Sequence, residues 1–109
     1  MALTYWTGGH TKHRLLYHLV WIPQYRKKLL QDRVARRLQH FLYEAAKSHR
    51  WWIEAMAILP DHVHLIIQIP PTEPLALVVQ RLKGGTSYDL YDEFPDLRKF
   101  IRGDRFWAE

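Results

Sequence analysis

The stretch His62-Val63-His64-Leu65-Ile66-Ile67-Gln68-Ile69 constrains this chain more than any other. Apolar and non-core positions alternate along it, which is the pattern of a strand with one buried face. Val63, Leu65, Ile67 and Ile69 fall on one face, and His62, His64, Ile66 and Gln68 on the other. The histidines at positions i and i+2 therefore stand side by side, roughly 6.5–7 Å apart along the strand. Two readings of that pair stand at this point. They are ordinary exposed histidines on an antiparallel strand, or two imidazoles that lean onto one divalent ion. Pro60 cannot donate to a ladder and fits the strand's entrance, and Pro60-Asp61 makes a turn from the preceding apolar run.

A strand of this kind needs partners and a covering layer. With 109 residues the chain forms one small domain. Residues 1–13 read as a flexible N-terminal arm, with Gly8-Gly9 as its flexible point, and residues 14–109 as the domain. Leu15 to Ile22 reads as a first, mostly buried strand ended by Pro23. His18 lies within it and is taken as a core or interface histidine. Gln24-Tyr25-Arg26-Lys27-Lys28 is a basic turn carrying one ring. A helix follows from about Asp32, its expected N-cap, to Ser48. Its stripe of Val34, Leu38, Phe41, Leu42 and Ala45 faces the core, and its arginines a solvated surface. Trp51 to Leu59 is a second strand, whose poor polar alternation suggests cover on both faces. One ring of the Trp51-Trp52 pair is expected in the core and the other partly outside. After the histidine strand, Thr72 or Glu73 is the expected cap of a second helix, with Pro74 in its first turn. Leu75, Val78, Val79, Leu82, Thr86 and Leu90 share one face of it. Gly84-Gly85 lies mid-helix and reads as a kink, an end, or a close approach of another backbone, with Lys83 beside it for a phosphate. Phe94-Pro95 stops the helix.

The order strand–helix–strand–strand–helix is the ferredoxin-like split β-α-β, an α+β fold, here without its last strand. Both helices are expected over the Val63 face, which leaves the histidine face open.

Composition narrows the function classes. Cysteine is absent, which removes disulfides and thiolate zinc sites. No apolar run is long enough for a bilayer and no signal segment opens the chain, so a cytoplasmic location is the default expectation. The net charge of +5, with five Trp and six Tyr, suits a nucleic-acid partner, where cations hold phosphates and rings stack on bases. A basic solvated surface over an aromatic core has the same composition.

Three segments together carry a family resemblance. They are Tyr17-His18-Leu19-Val20-Trp21-Ile22-Pro23-Gln24-Tyr25-Arg26, Pro60-Asp61-His62-Val63-His64-Leu65, and Leu82-Lys83-Gly84 with Ser87 followed by Glu93-Phe94-Pro95-Asp96-Leu97. In that order and spacing the chain resembles the single-domain HUH transposases (TnpA-like) of the smallest bacterial insertion sequences, and their relatives at repetitive extragenic palindromes. The resemblance spans the chain from about Arg14. It implies cleavage and rejoining of hairpin-bearing single-stranded DNA through a 5′-phosphotyrosine, with Mg²⁺ or Mn²⁺ as cofactor. It implies His62 and His64 as metal ligands, and Tyr25, Arg26, Lys27, Lys28, Lys83 and Gly84 as DNA-binding residues. It also implies a homodimer, with the first strand or the residues near Phe106 and Trp107 at the contact.

One departure from the family pattern is plain. The family's nucleophilic tyrosine lies on a helix after the last strand, expected beyond Glu109. The chain thus carries the metal-binding half of such a site. Tyr88 and Tyr91 on the second helix do not match the tyrosine position. Catalytic strand transfer, a non-catalytic hairpin-binding module, and a decayed remnant all remain open at the level of sequence.

Overall fold

A computed structural model describes residues 2–11, 14–101, 103 and 105–109, with side chains from Leu15 onward. Strand β1 (Ala2–Thr11) is followed by β2 (Arg14–Trp21), helix α1 (Asp32–His49), β3 (Trp52–Leu59), β4 (His62–Ile69) and helix α2 (Leu75–Glu93). Short 3-10 turns at Gln24–Arg26 and Pro95–Lys99 follow β2 and α2. The sheet has four antiparallel strands in the order β1-β2-β4-β3. From β2 to α2 this is the expected split β-α-β.

The first 13 residues are more than an arm. Ala2–Thr11 pairs with β2 from Ala2↔Val20 to Thr11↔Arg14, with a register shift between Trp6 and Thr11 that brackets Gly8-Gly9. The glycines, read as a flexible point, coincide with an irregularity in a ladder. Pairing overrides local composition here because β2 presents a whole edge of backbone donors and acceptors that the strand satisfies.

The alternation along β4 becomes a core on one side of the sheet. Val63, Leu65, Ile67 and Ile69 are wholly buried, as are Leu19 of β2, Leu38 and Leu42 of α1, and Val78 and Leu90 of α2. Burying a Leu or Ile side chain stabilises by about 1.5–3 kcal/mol. A slip of one residue in β4 would turn all four side chains out, so the register is firmly specified. Arg37 of α1 is not simply solvated: its Nε donates to Glu93 Oε2 at 2.5 Å and ties the two helices.

Several local expectations are corrected. Gln31, not Asp32, is the cap position of α1, and Asp32 is the first helical residue with φ of 50°. The approach is fixed from outside the helix, because Leu30 is buried and its N–H donates to the Pro60 carbonyl. Pro74 is the cap of α2. The Glu73 carboxylate is instead taken by the indole N–H of buried Trp51, at 2.6 Å. In β3 the outer face is open rather than covered. A register shift between Ile53 and Ala55 lets Ile53, Met56 and Ile58 face inward while Trp52, Ala57 and Leu59 are exposed. Trp51 is in the core and Trp52 is 62% exposed, as the pair of rings suggested. At Gly84 and Gly85 the helix neither kinks nor ends, and an added Cβ would meet nothing within 4 Å. Among the described residues, no other backbone comes within 4 Å of either added Cβ.

Phe106 and Trp107, expected at a contact between copies, are buried in their own chain. Trp107 bridges Pro23, Phe106 accepts from the Gln24 N–H, and Ala108 donates to Ile22. β2 is likewise interior, flanked by β1 and β4. The sheet's edges are β1 and β3.

Candidate metal centre

The strand alternation sets His62 and His64 on the sheet face away from the core. Their rings are 4.7 Å apart between centroids and nearly perpendicular. Each imidazole is held by a neighbour through Nδ1. His62 Nδ1 lies 2.7 Å from Asp61 Oδ1, and His64 Nδ1 lies 3.3 Å from His18 Nε2. With both Nδ1 atoms engaged, the two Nε2 atoms are the ones left for other partners.

His18 reaches this position through the β2–β4 register. Val20 faces His64 and His18 faces Ile66, so His18 is the diagonal neighbour of His64 on the same face. His18 is thus not a core histidine apart from the pair, as its position within a buried strand suggests, but a direct partner of His64. Asp61, read only as a turn residue, also accepts from Arg26 Nε at 3.0 Å. The basic turn is thereby tied to the histidine strand in a chain Arg26–Asp61–His62. Nothing in the linear sequence announces either link, since both depend on strand register and on how the turn folds back.

The electrostatics follow from these contacts. The His62 hydrogen bond, then the Arg26 guanidinium, hold the Asp61 carboxyl below the usual carboxylate range. Partial burial pushes the His64 imidazole down, and neighbouring His62 and His18 add to it. A neutral His64 has a lone pair to offer an ion. Among the described residues, no three His, Cys, Asp or Glu side chains are grouped to hold a metal. The donor set formed by His62 and His64 is a pair of imidazole nitrogens. It fits part of a coordination shell, and as imidazole it suits Mn²⁺ better than Mg²⁺.

The other predicted residues divide into two groups. Tyr25, Lys27 and Lys28 are exposed beside Arg26, and Tyr25 takes a left-handed backbone with φ of 60°. Lys83 and Gly84 lie on α2 and line a groove of about 940 Å³ with Tyr88, Phe106 and Trp107, a groove that includes neither histidine. Lys83 Nζ donates to the Ala108 carbonyl at 2.6 Å, and burial pushes its ammonium down. The structure thus joins the turn to the histidines and leaves Lys83 and Gly84 in the helix layer.

Comparison with known proteins decides the family. The family model described as "Transposase IS200 like" matches residues 11–109. The chain belongs to the IS200-like transposase family. Within the family, it is 30% identical over 95 residues to the ISDra2 transposase TnpA of Deinococcus radiodurans, covering 87% of this chain and 68% of that one. It is 30% identical over 100 residues to the transposase of insertion sequence element IS200 from Salmonella typhimurium, covering 92% of this chain and 66% of that one. The crystal structure of a putative transposase from Deinococcus radiodurans superposes with a TM-score of 0.83 at 30% identity, over 94% of this chain and 79% of that one. A REP-associated tyrosine transposase bound to a REP hairpin shares the fold, with a TM-score of 0.59 at 17% identity, over 96% of this chain and 54% of that one. The family expected from the three segments and the α+β layout expected from the element order agree with these likenesses. Among the described residues, no helix is long and apolar enough to cross a membrane.

Proposed function

We propose that this chain acts on hairpin-bearing single-stranded DNA in transposition, with a divalent ion held by Nε2 of His62 and Nε2 of His64. The observation that carries the reading is the pair of imidazoles on the open sheet face, each anchored through Nδ1. When bound, the ion supplies positive charge that polarises the scissile phosphate. The remaining coordination positions fall to water, to DNA phosphate oxygens, or to groups outside the described residues. Arg26, Lys27 and Lys28 neutralise backbone phosphates beside the histidines. Tyr25, 67% exposed, and Trp52, which faces Gln68 on the open side, offer rings on which unpaired bases stack. Lys83 and Gly84 form a second phosphate contact on α2. Lys83 keeps donors to spare, because an ammonium has three and Ala108 takes one. The reaction in this reading is phosphoryl transfer to a tyrosine hydroxyl in a cytoplasmic homodimer.

Tyr88 and Tyr91 are poor candidates for that hydroxyl. They belong to α2, whose Val78 and Leu82 pack on the Val63 side of the sheet, across from the imidazoles. That placement favours a second reading, in which this stretch of chain by itself binds hairpins and does not cleave them. Denaturing electrophoresis with labelled single strands and Mn²⁺, beside an equilibrium binding assay, tests both. The expected result is salt-sensitive binding with preference for a hairpin strand, and no covalent band. Equal binding to an unstructured strand, unchanged by His62→Ala and His64→Ala, removes the metal and hairpin reading. A covalent band lost on Tyr88→Phe or Tyr91→Phe puts the nucleophile on α2 and removes the argument from placement.

A further inference from the structure

We propose that His18 is the positioning residue of the metal pair: its Nε2 accepts the Nδ1 proton of His64 and so presents Nε2 of His64 as the ligating nitrogen. The inference rests on the metal reading above and adds a residue to it. A neutral imidazole has one donor nitrogen and one acceptor nitrogen, and which is which follows from the hydrogen bond made by the other atom. In His62 the matter is settled by a carboxylate. Asp61 Oδ1 can only accept, so at 2.7 Å the Nδ1 of His62 donates and Nε2 is left as a lone pair. His64 has no carboxylate among its described partners. Its Nδ1 partner is His18 Nε2, at 3.3 Å, with the two rings 5.5 Å apart and tilted by 35°.

Two imidazoles facing each other can share one proton in either sense. For His64 to match His62, the proton belongs to His64 Nδ1, and His18 then carries its own proton on Nδ1. An outer partner of this kind fixes the ring's tautomer and its orientation, and raises its basicity toward a metal. Strand pairing makes the contact rigid. His18 is mid-strand in β2, its neighbours Leu19 and Trp21 are buried, and β4 is clamped between β2 and β3. The site is therefore spread over two strands, and the β2–β4 register aligns it as well as the spacing within β4.

The test reads the tautomer and the metal separately. Long-range proton–nitrogen correlations on ¹⁵N-labelled protein, above the imidazole titration range, assign the proton of His64. The expected result is a proton on Nδ1 in the wild type. It should move to Nε2 in His18→Leu, and stay on Nδ1 in His18→Gln, whose amide oxygen accepts from a similar place. Co²⁺ titration followed by visible absorption should give a dissociation constant about 10–100-fold weaker for His18→Leu, the range typical of lost outer-shell partners. His18→Gln should recover most of it. A wild-type His64 protonated on Nε2 overturns the inference without any variant. So does a Co²⁺ affinity unchanged in His18→Leu although the tautomer has moved. A His18→Gln variant as weak as His18→Leu makes His18 a ligand rather than a positioning residue, and also overturns it. Failure of the underlying metal reading looks different: Co²⁺ affinity would not change in His62→Ala or His64→Ala, and the role assigned to His18 would fall with it.

Discussion

Replacing Thr86 by Val should unfasten the C-terminal segment from α2. Thr86 is 1% exposed and Trp107 is 3% exposed. The Thr86 hydroxyl donates to the Leu82 carbonyl at 2.6 Å and accepts from the Trp107 indole N–H at 2.9 Å. Valine keeps the shape and removes the acceptor. The Leu82 carbonyl retains its helical partner, so the damage concentrates on one buried N–H with nothing to bond. Such a stranded donor costs about 1–3 kcal/mol. For a domain of this size that corresponds to a drop in melting midpoint of roughly 4–8 °C per kcal/mol. Urea unfolding should show a lower midpoint with an unchanged slope, since the surface exposed on unfolding is the same. A double-mutant cycle isolates the pair. In a Trp107→Phe background the donor is gone, and Thr86→Val should be close to neutral. A Thr86→Val protein within about 0.5 kcal/mol of wild type, or an equal loss in both backgrounds, would refute the assignment of this bond as the fastener.

Three further outcomes are expected. Burial, then the neighbouring His62 and His18, lower the His64 titration below 6.5, so between the folded value and 6.5 the unfolded chain binds more protons. Stability should therefore rise with pH through that window and fall as pH drops across it. His62→Ala should move the His64 titration only part of the way back, followed by imidazole proton shifts, because burial is the larger cause. Lys27→Ala, Lys28→Ala and Lys83→Ala should each reduce the log–log salt slope of single-strand binding by about 0.7, and a variant with an unchanged slope makes no phosphate contact. Gly84→Ala and Gly85→Ala should each stabilise by about 0.5–1 kcal/mol in thermal melts, because the helix continues through both and an added Cβ has open space.

What was legible in the sequence is what short-range periodicity encodes. The alternation of β4 gave both its buried face and the common side of His62 and His64, because side-chain direction in a strand depends on nothing beyond the strand. The α1 stripe was read on the same footing, and Leu38 and Leu42 are wholly buried. Readings failed where a partner outside the element decides. The pairing of Ala2–Thr11 and the register shift in β3 are set by the neighbouring strand, and the capture of Glu73 by Trp51 joins residues 22 apart. The contacts of His18 with His64 and of Arg26 with Asp61 were missed for the same reason, whereas Asp61 is adjacent to His62. His18 lies 46 residues from His64 and Asp61 lies 35 from Arg26, separations at which only the fold defines a neighbour.

Strand β1 and the segment around Trp107 share one edge of the β2 stretch and its extension. On the β4 side the register runs to Trp21↔Val63, and continued by one residue it would set His62 opposite Ile22, so the segment that bridges Pro23 and Ile22 falls on the other side, in line with β1. Trp107 opposes Pro23, and Ala2 already opposes Val20. Polypeptide continuing that ladder past Glu109 would arrive at Val20 and find the lane taken. It would have to evict the N-terminal strand or veer off the sheet. The same strip of β2 backbone is therefore a shared berth, and a change in the segment around Trp107 bears on the seating of Ala2–Thr11.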